Sequence, residues 1–508
     1  LDVRFDFLSA TAANQGRIVA TADMLSLQPN SVSLYPAGWF TRRIPVATTI
    51  TWPQGWQAGG ALRQTAKTGN TITYETTDYE TLVDSPFLAG RWFRQWDLGQ
   101  NVTLNVTADA ARFLDATPAQ IDAHKRLVDQ ALKLFGTRQF DRYDFLLSLS
   151  EHLGGIGLEH HRSSENGVNA AYFTEWDKGP GRRNLLPHEF THSWNGKHRR
   201  GADSVTPDFN TPMRNSLLWV YEGQTQFWGY VLGARSGLFT KQETLDSLAA
   251  IAASLDNRPA RAWRSLDDTT NDPVITPRAP KGWLSNQRSE DYYAEGMLIW
   301  LEADSILRQK TNGARGMDDF ARAFFGTGEG DWGVVPYDFE TLVKTLNAIA
   351  PHDWAGFLTQ RLTEKAQGAP LDGFTNSGYK LIYTDTPTPA FADGMRTGKV
   401  NNLSYSGGLV IGKDGAIEQV SWNSAAFDAG LTVGDTILAV NEKPFSDDLI
   451  KAEIAAAKSG KAPVRLLIKT ADRLRSVDLA WNGGLRYPRF EKTGPTDTAL
   501  DKLLAPKP

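Results

Sequence analysis

The stretch Asn184-Leu185-Leu186-Pro187-His188-Glu189-Phe190-Thr191-His192 constrains this chain more than any other, because it contains H-E-x-x-H. On a helix, residues four apart lie on one face about one turn from each other. His188 and His192 can then reach a single ion, which is the pattern of a zinc site. Glu189 follows the first histidine directly, where it meets a water beside the metal rather than the metal itself. Helix-start signals agree: Asn184 suits a cap, and Pro187 falls in the first turn, where a missing N–H is tolerated.

Two histidines do not close a catalytic zinc site, which takes three protein ligands and leaves a position for water. The third ligand expected here is Glu222, thirty positions after His192, in LLWVYEGQTQFWGYVLG. Residues 217–232 read as a mostly apolar helix with one carboxylate inside it. A buried lone carboxylate is costly without a partner, and a metal ion is one.

A length of 508 residues calls for two to four domains. A hydrophobic share of 41% and a charged share of 22% are those of a globular protein. The net charge of −4, with both signs dispersed, gives no support to nucleic-acid binding. With no cysteine, disulfides, Cys-ligated zinc and a Cys nucleophile are excluded. No apolar run is long enough to span a membrane.

Residues 1–115 read as a β-rich, sandwich-like domain of short strands separated by Gly, Pro and Asn, with NVTLNVTA as its last strand. Thr117-Pro118-Ala119-Gln120 opens a helix that stops at Gly136. RYDFLLSLS is a strand. Thr240 to Glu243 form a capping box for the next helix, and SEDYYAEGMLIWLEADSIL is another helix. The long loop between them, 257–287, is placed at the border of a cleft. The overall expectation is a multidomain α+β chain.

The motifs HEFTHSWN, WVYEGQTQFW and DYYAEG, followed by a PDZ-like tail, resemble the glycyl aminopeptidase family of bacterial PDZ-carrying metallopeptidases. The resemblance covers roughly residues 20–485 and implies a thermolysin-like, mostly helical catalytic domain over 116–375, with one Zn2+ held by His188, His192 and Glu222. It implies peptide substrates, attack by a zinc-activated water with Glu189 as base, and a preference for N-terminal Gly or Ala. In such enzymes a Gly-x-x-Glu loop beside an edge strand lies along the substrate. Gly157, Leu158, Glu159 and His160 match it, so Glu159 is expected to hold the substrate's amino terminus, with Gly157 and His160 beside it. Tyr293 matches the tyrosine that faces the oxyanion, with Tyr292 as the alternative; Glu295 stands where Lys is common. A zinc endopeptidase, or a PDZ module carrying an inactive peptidase fold, are the rival readings.

Residues 390–485 resemble a bacterial PDZ domain through Ala429-Gly430-Leu431 and Gly434-Asp435-Thr436-Ile437. Gly407 to Val410 is the expected carboxylate-binding turn, taking a peptide C-terminus or strand by strand addition. Residues 486–508 are expected as a loose tail. The compartment, periplasmic or cytoplasmic, is left open, with the periplasm favoured.

Overall fold

The computed structural model describes residues 1–275, 282–330, 333–458, 460, 462–494 and 498–508. The first domain contains β1 (Met24–Leu27), β2 (Thr49–Thr51), β3 (Gln57–Gly60), β4 (Gln64–Thr68), β5 (Thr71–Tyr74), the short helix α1 (Tyr79–Val83) and β6 (Phe87–Gly90). β6 is the centre of one antiparallel sheet, between β1 and β3; β5 is the centre of another, between β2 and β4. Trp52, Leu62, Tyr74, Leu82 and Phe87 fill the core of this domain. Asp78 caps α1 by accepting from the Thr81 N–H at 3.0 Å.

The second region is built on a five-stranded sheet of β7 (Phe93–Asp97), β8 (Val102–Ala108), β9 (Tyr143–Leu149), β10 (Gly157–Glu159) and β11 (Ser163–Val168). The strand order is β10-β11-β9-β8-β7. The three inner strands are parallel, and each outer strand runs antiparallel to its neighbour. The boundary expected at 115 is therefore corrected. NVTLNVTA, as β8, pairs in parallel with β9 from Val102↔Tyr143 to Ala108↔Leu149, so it belongs to this sheet. Thr and Val mark a strand but not the sheet that receives it.

Helix α2 (Pro118–Phe135) covers the sheet, opened by the Thr117/Gln120 capping box and closed by Gly136 in the left-handed region at φ 74°. The helices α3 (Leu185–Thr191), α4 (Leu218–Ser236), α5 (Lys241–Asp256), α6 (Asp291–Lys310), α7 (Met317–Phe324), α8 (Phe339–Ile349) and α9 (Trp354–Thr363) follow. Asn184 precedes α3 as expected, but its side chain makes no capping hydrogen bond.

Beyond them come β12 (Tyr379–Thr384), α10 (Pro389–Gly398), β13 (Asn401–Leu403), β14 (Leu409–Ile411), β15 (Ile417–Val420), β16 (Thr436–Val440), α11 (Asp447–Ala457), β17 (Val464–Thr470), β18 (Arg473–Leu479), β19 (Tyr487–Lys492) and α12 (Ala499–Leu504). Residues from β13 to β18 enclose a core of their own, including Leu403, Ile411, Ile437, Ile450 and Leu466. β14 lies between β13 and β15 and pairs with both. The expected docking of a peptide strand against Leu409 and Val410 is thereby corrected, because the chain's own residues Asn401–Leu403 occupy that edge.

This domain seats on the catalytic region through the 283–286 turn. The Ser285 hydroxyl donates to the Val420 carbonyl and accepts from the Trp422 N–H, both at 2.9 Å. The Trp283 ring lies 5.3 Å from Trp422 and 5.5 Å from Phe427.

Residues 486–508 are not a loose tail. β19 pairs antiparallel with β12. α12 buries Leu500, Leu503 and Leu504 in the main core, and the Leu503 carbonyl accepts from Arg235 Nε at 2.9 Å. Among the described residues, no helix is long and apolar enough to cross a membrane.

Candidate active site

α3 is buried along its whole length. Its Phe190 ring packs 4.7 Å from Tyr143 of β9, and the Tyr143 hydroxyl donates to the Glu189 carbonyl at 3.3 Å. The sheet thus fixes the rotation of α3, with His188 and His192 facing α4. Glycine sets how close α4 approaches: a Cβ on Gly229 would lie 3.2 Å from His188 Cβ. Gly229 is two turns beyond Glu222 and so shares its face.

Three atoms converge there. His188 Nε2 and His192 Nε2 are 3.2 Å apart, and Glu222 Oε2 lies 3.4 Å from the first and 3.3 Å from the second. Tetrahedral zinc with bonds of about 2.0–2.1 Å requires ligand atoms about 3.3–3.4 Å apart. The donor set therefore fits the ion. His188 Nδ1 and Glu222 Oε2 are buried without a hydrogen-bond partner among the described residues, which for the carboxylate oxygen calls for a cation.

Asn195 supports this arrangement from behind. Its carbonyl accepts from His192 Nδ1 at 2.8 Å, which leaves the Nε2 lone pair directed at the centre. Its side-chain amide donates to the Val220 and Tyr221 carbonyls at 3.0 and 3.1 Å, joining the α3 end to the turn that carries Glu222.

Burial pushes the Glu222 carboxyl up, but His192 and His188 outweigh it and hold it down at about 2. Glu189 goes the other way. Burial pushes it well above the ordinary carboxylate range; His192 opposes this, while Glu159 and Glu222 push it further up. A carboxyl in that balance is suited to carry a proton. Its Oε1 presses on the edge strand, where a Cβ on Gly157 would come within 2.4 Å of it. Gly157 is thus required by space, and its backbone borders the cleft.

Among the described residues β10 pairs with β11 alone, and its residues line the cleft. Glu159 ends this strand. Its ligating atom lies within 4.8 Å of those of His192 and Glu222. The Tyr221 hydroxyl donates to Glu159 Oε1. Burial pushes the Glu159 carboxyl up, yet His192, Lys197 and the Tyr221 hydrogen bond leave it lowered on balance. His160 follows the strand end and is buried. Its ring is held between Asp84 Oδ1 at 3.1 Å and Glu165 Oε2 at 3.4 Å. Both of its ring nitrogens thus face carboxylates, while the residue also lines the cavity that contains Glu159. Glu165 also accepts from Ser26 and Gln28 at 2.6 and 2.7 Å, so this buried cluster fastens the first domain to the sheet.

Tyr293 stands across the centre with its ring 5.9 Å from that of His188. Tyr292 is 2% exposed and sits in the crossing of α4 and α6. Glu295 is buried and turned from the cleft, with both oxygens bound to Arg261 at 2.8 and 2.9 Å. A cleft cavity of about 570 Å³ is lined by Gly157, Glu159, Tyr221, Glu222, Tyr292 and Tyr293, and Pro273 of the long loop borders it. A second cavity of about 570 Å³ shares Leu158, Glu159, Lys197 and Arg200 with it and extends to Arg42 and Asp84 of the first domain. Tyr221 and the Asp84–Lys197 pair (2.8 Å) are site features that sequence reasoning missed.

A model of the M61 glycyl aminopeptidase family matches residues 182–299, and one of the Peptidase M61 N-terminal domain matches residues 1–91. Among solved structures, the chain is similar to an aminopeptidase N family protein from Idiomarina loihiensis, with 18% identity over 95% of this chain and 83% of that chain and a TM-score of 0.76, which shows a shared fold. An M1 zinc metallopeptidase from Deinococcus radiodurans is matched at 16% identity over 63% of this chain and 64% of that one, with a TM-score of 0.38. Native yeast LTA4 hydrolase is matched at 15% identity over 64% of this chain and 48% of that one, with a TM-score of 0.39. No curated protein matches the chain significantly. Models of both the N-terminal domain and the glycyl aminopeptidase region of the M61 family thus match the chain around this site, which supports a metallo-aminopeptidase.

Proposed function

We propose that the protein is a zinc-dependent aminopeptidase that removes single N-terminal residues, Gly and Ala foremost, from peptides. The observation that carries this reading is the separation of under 4.8 Å between the ligating atoms of Glu159, His192 and Glu222. In an amino acid the α-nitrogen is about 2.5 Å from its own carbonyl carbon. An ammonium group bound to Glu159 therefore leaves room for one residue before the scissile carbonyl. The preference for small residues follows the family's description as glycyl aminopeptidases.

His188, His192 and Glu222 would hold the zinc, which when bound supplies Lewis acidity to a water and a substrate carbonyl. Glu189 takes a proton from the attacking water and delivers it to the leaving amine. Tyr293 donates from its hydroxyl to the oxygen that gains charge at the attacked carbon. The free edge of β10 pairs with the extended substrate, and Gly157 permits the close backbone approach.

The test is hydrolysis of Gly- and Ala-anilides against N-blocked peptides, with and without a chelator. Chelator-sensitive cleavage of free-amine substrates alone is expected. Cleavage of blocked peptides would replace this reading with an endopeptidase, a second reading supported by the cavity that continues past Glu159.

A further inference from the structure

Tyr221 and Glu222 are neighbours on α4 that serve two different groups. Glu222 faces the two histidines, while about 100° further round the helix Tyr221 reaches Glu159. The Tyr221 ring lies 4.9 Å from that of His192, and its hydroxyl donates to Glu159 Oε1. It is held from the other side by Gly196, at φ 121°, where a Cβ would come within 2.5 Å of the Tyr221 ring. The phenol is thus wedged between the α3 end and the edge strand.

We infer that Tyr221 is a positioning residue that fixes the Glu159 carboxylate at a set distance from the metal ligands, and so decides that the substrate amine is bound one residue from the scissile carbonyl. This deepens the proposed aminopeptidase reading and rests on it. A carboxylate at the end of a flexible side chain on an edge strand has several rotamers, and each would hold an ammonium group at a different depth. A hydrogen bond from a half-buried phenol selects one of them, and its single donor leaves the other carboxylate oxygen for the substrate. Because the same helix turn carries Glu222, any shift of α4 moves amine anchor and metal ligand together, and the spacing between them is kept.

The test uses the zinc-loaded enzyme with Tyr221→Phe, which keeps the ring against His192 and removes only the hydroxyl. KM for Gly-anilide should rise about tenfold with kcat within about twofold, as for loss of one hydrogen bond to a charged group. Calorimetric titration of a free-amine Gly peptide into Glu189→Gln holoenzyme should show the same loss of affinity on adding Tyr221→Phe, and an N-acetylated peptide should show none. On a Glu159→Gln background, Tyr221→Phe should add nothing. A fall in kcat at unchanged KM would make Tyr221 an oxyanion donor and overturn the inference, as would an unchanged KM and affinity. If Glu159→Gln itself leaves free-amine substrates unaffected, it is the aminopeptidase reading that fails. Zinc content and melting temperature of each variant separate these outcomes from misfolding.

Discussion

Gly223 and Gly296 face each other where α4 crosses α6, so closely that a Cβ on Gly296 would lie 2.9 Å from the Gly223 Cα. The crossing is one residue from Glu222 and three from Tyr293, and it sets the width of the site between them.

Gly296→Ala should therefore lower stability and turnover together. Alanine favours a helix by about 1 kcal/mol. The new methyl meets backbone on both sides, with no flexible side chain to yield, and overpacking of that kind costs about 1–3 kcal/mol. A lower melting temperature with a reduced kcat is expected; unchanged values of both would show that the crossing tolerates a wider spacing.

Removal of the metal should be visible in stability as well as activity. Glu222 is buried with an oxygen that, among the described residues, has no hydrogen-bond partner and faces the two histidine nitrogens. Stripping zinc from a holoenzyme at a thousand times its dissociation constant forfeits about 4 kcal/mol. Thermal scans with and without a chelator should show a clear drop for the wild type. The His188→Ala/His192→Ala double variant should melt at the same temperature in both.

Glu189→Gln is expected to keep zinc, measured by elemental analysis, while kcat falls by roughly 10²–10⁴-fold, the range for a lost general acid–base group. Loss of the metal along with activity would instead make Glu189 part of the binding set. Tyr293→Phe should cost roughly 10²–10³-fold in kcat, as for a removed oxyanion donor.

His160 predicts a pH dependence of stability. Burial lowers its pKa, but Asp84 and Glu165 more than compensate and push it up to about 9, from an ordinary 6.5. Its contribution is thus fully present below about pH 6.5 and is lost as pH rises through about 9. Lys197 and Arg17 complete the cluster by pairing with Asp84 and Glu165. Urea titrations from pH 6.5 to 9.5 should show the wild type losing up to about 3 kcal/mol more than His160→Gln. Parallel curves would assign the pH dependence elsewhere.

Leu503 is fully buried against the main core. Leu503→Ala should cost about 2–5 kcal/mol, read as a lower denaturation midpoint; a neutral result would mean that α12 frays in solution.

The metal ligands were legible because they obey helical spacing and because a carboxylate inside an apolar helix demands a partner. Tyr221 was not, since adjacent helical residues diverge and nothing local says that an edge strand will pass beside one of them. The carboxylate partners of His160 were hidden for the same reason: Asp84 is 76 positions away, in another domain. The position of β14 inside its sheet rests on pairing with β13, and strand order is not written in composition. The last helix was missed, in the expectation of a loose tail, although Thr498 and Asp501 stand in capping-box spacing and its leucines are three and four apart.

The pairing of β12 with β19 means that the domain carrying β13 to β18 is inserted between two strands of another body. Thr384 and Tyr487 are partners across that ladder, so both ends of the insert return to one place. During synthesis the groove that receives α12 stays open after residue 384 has emerged, until residue 504 follows. At 5–20 residues per second that interval is roughly 6–24 s. The inserted domain has time to complete its own core while the groove that receives α12 waits with apolar surface exposed.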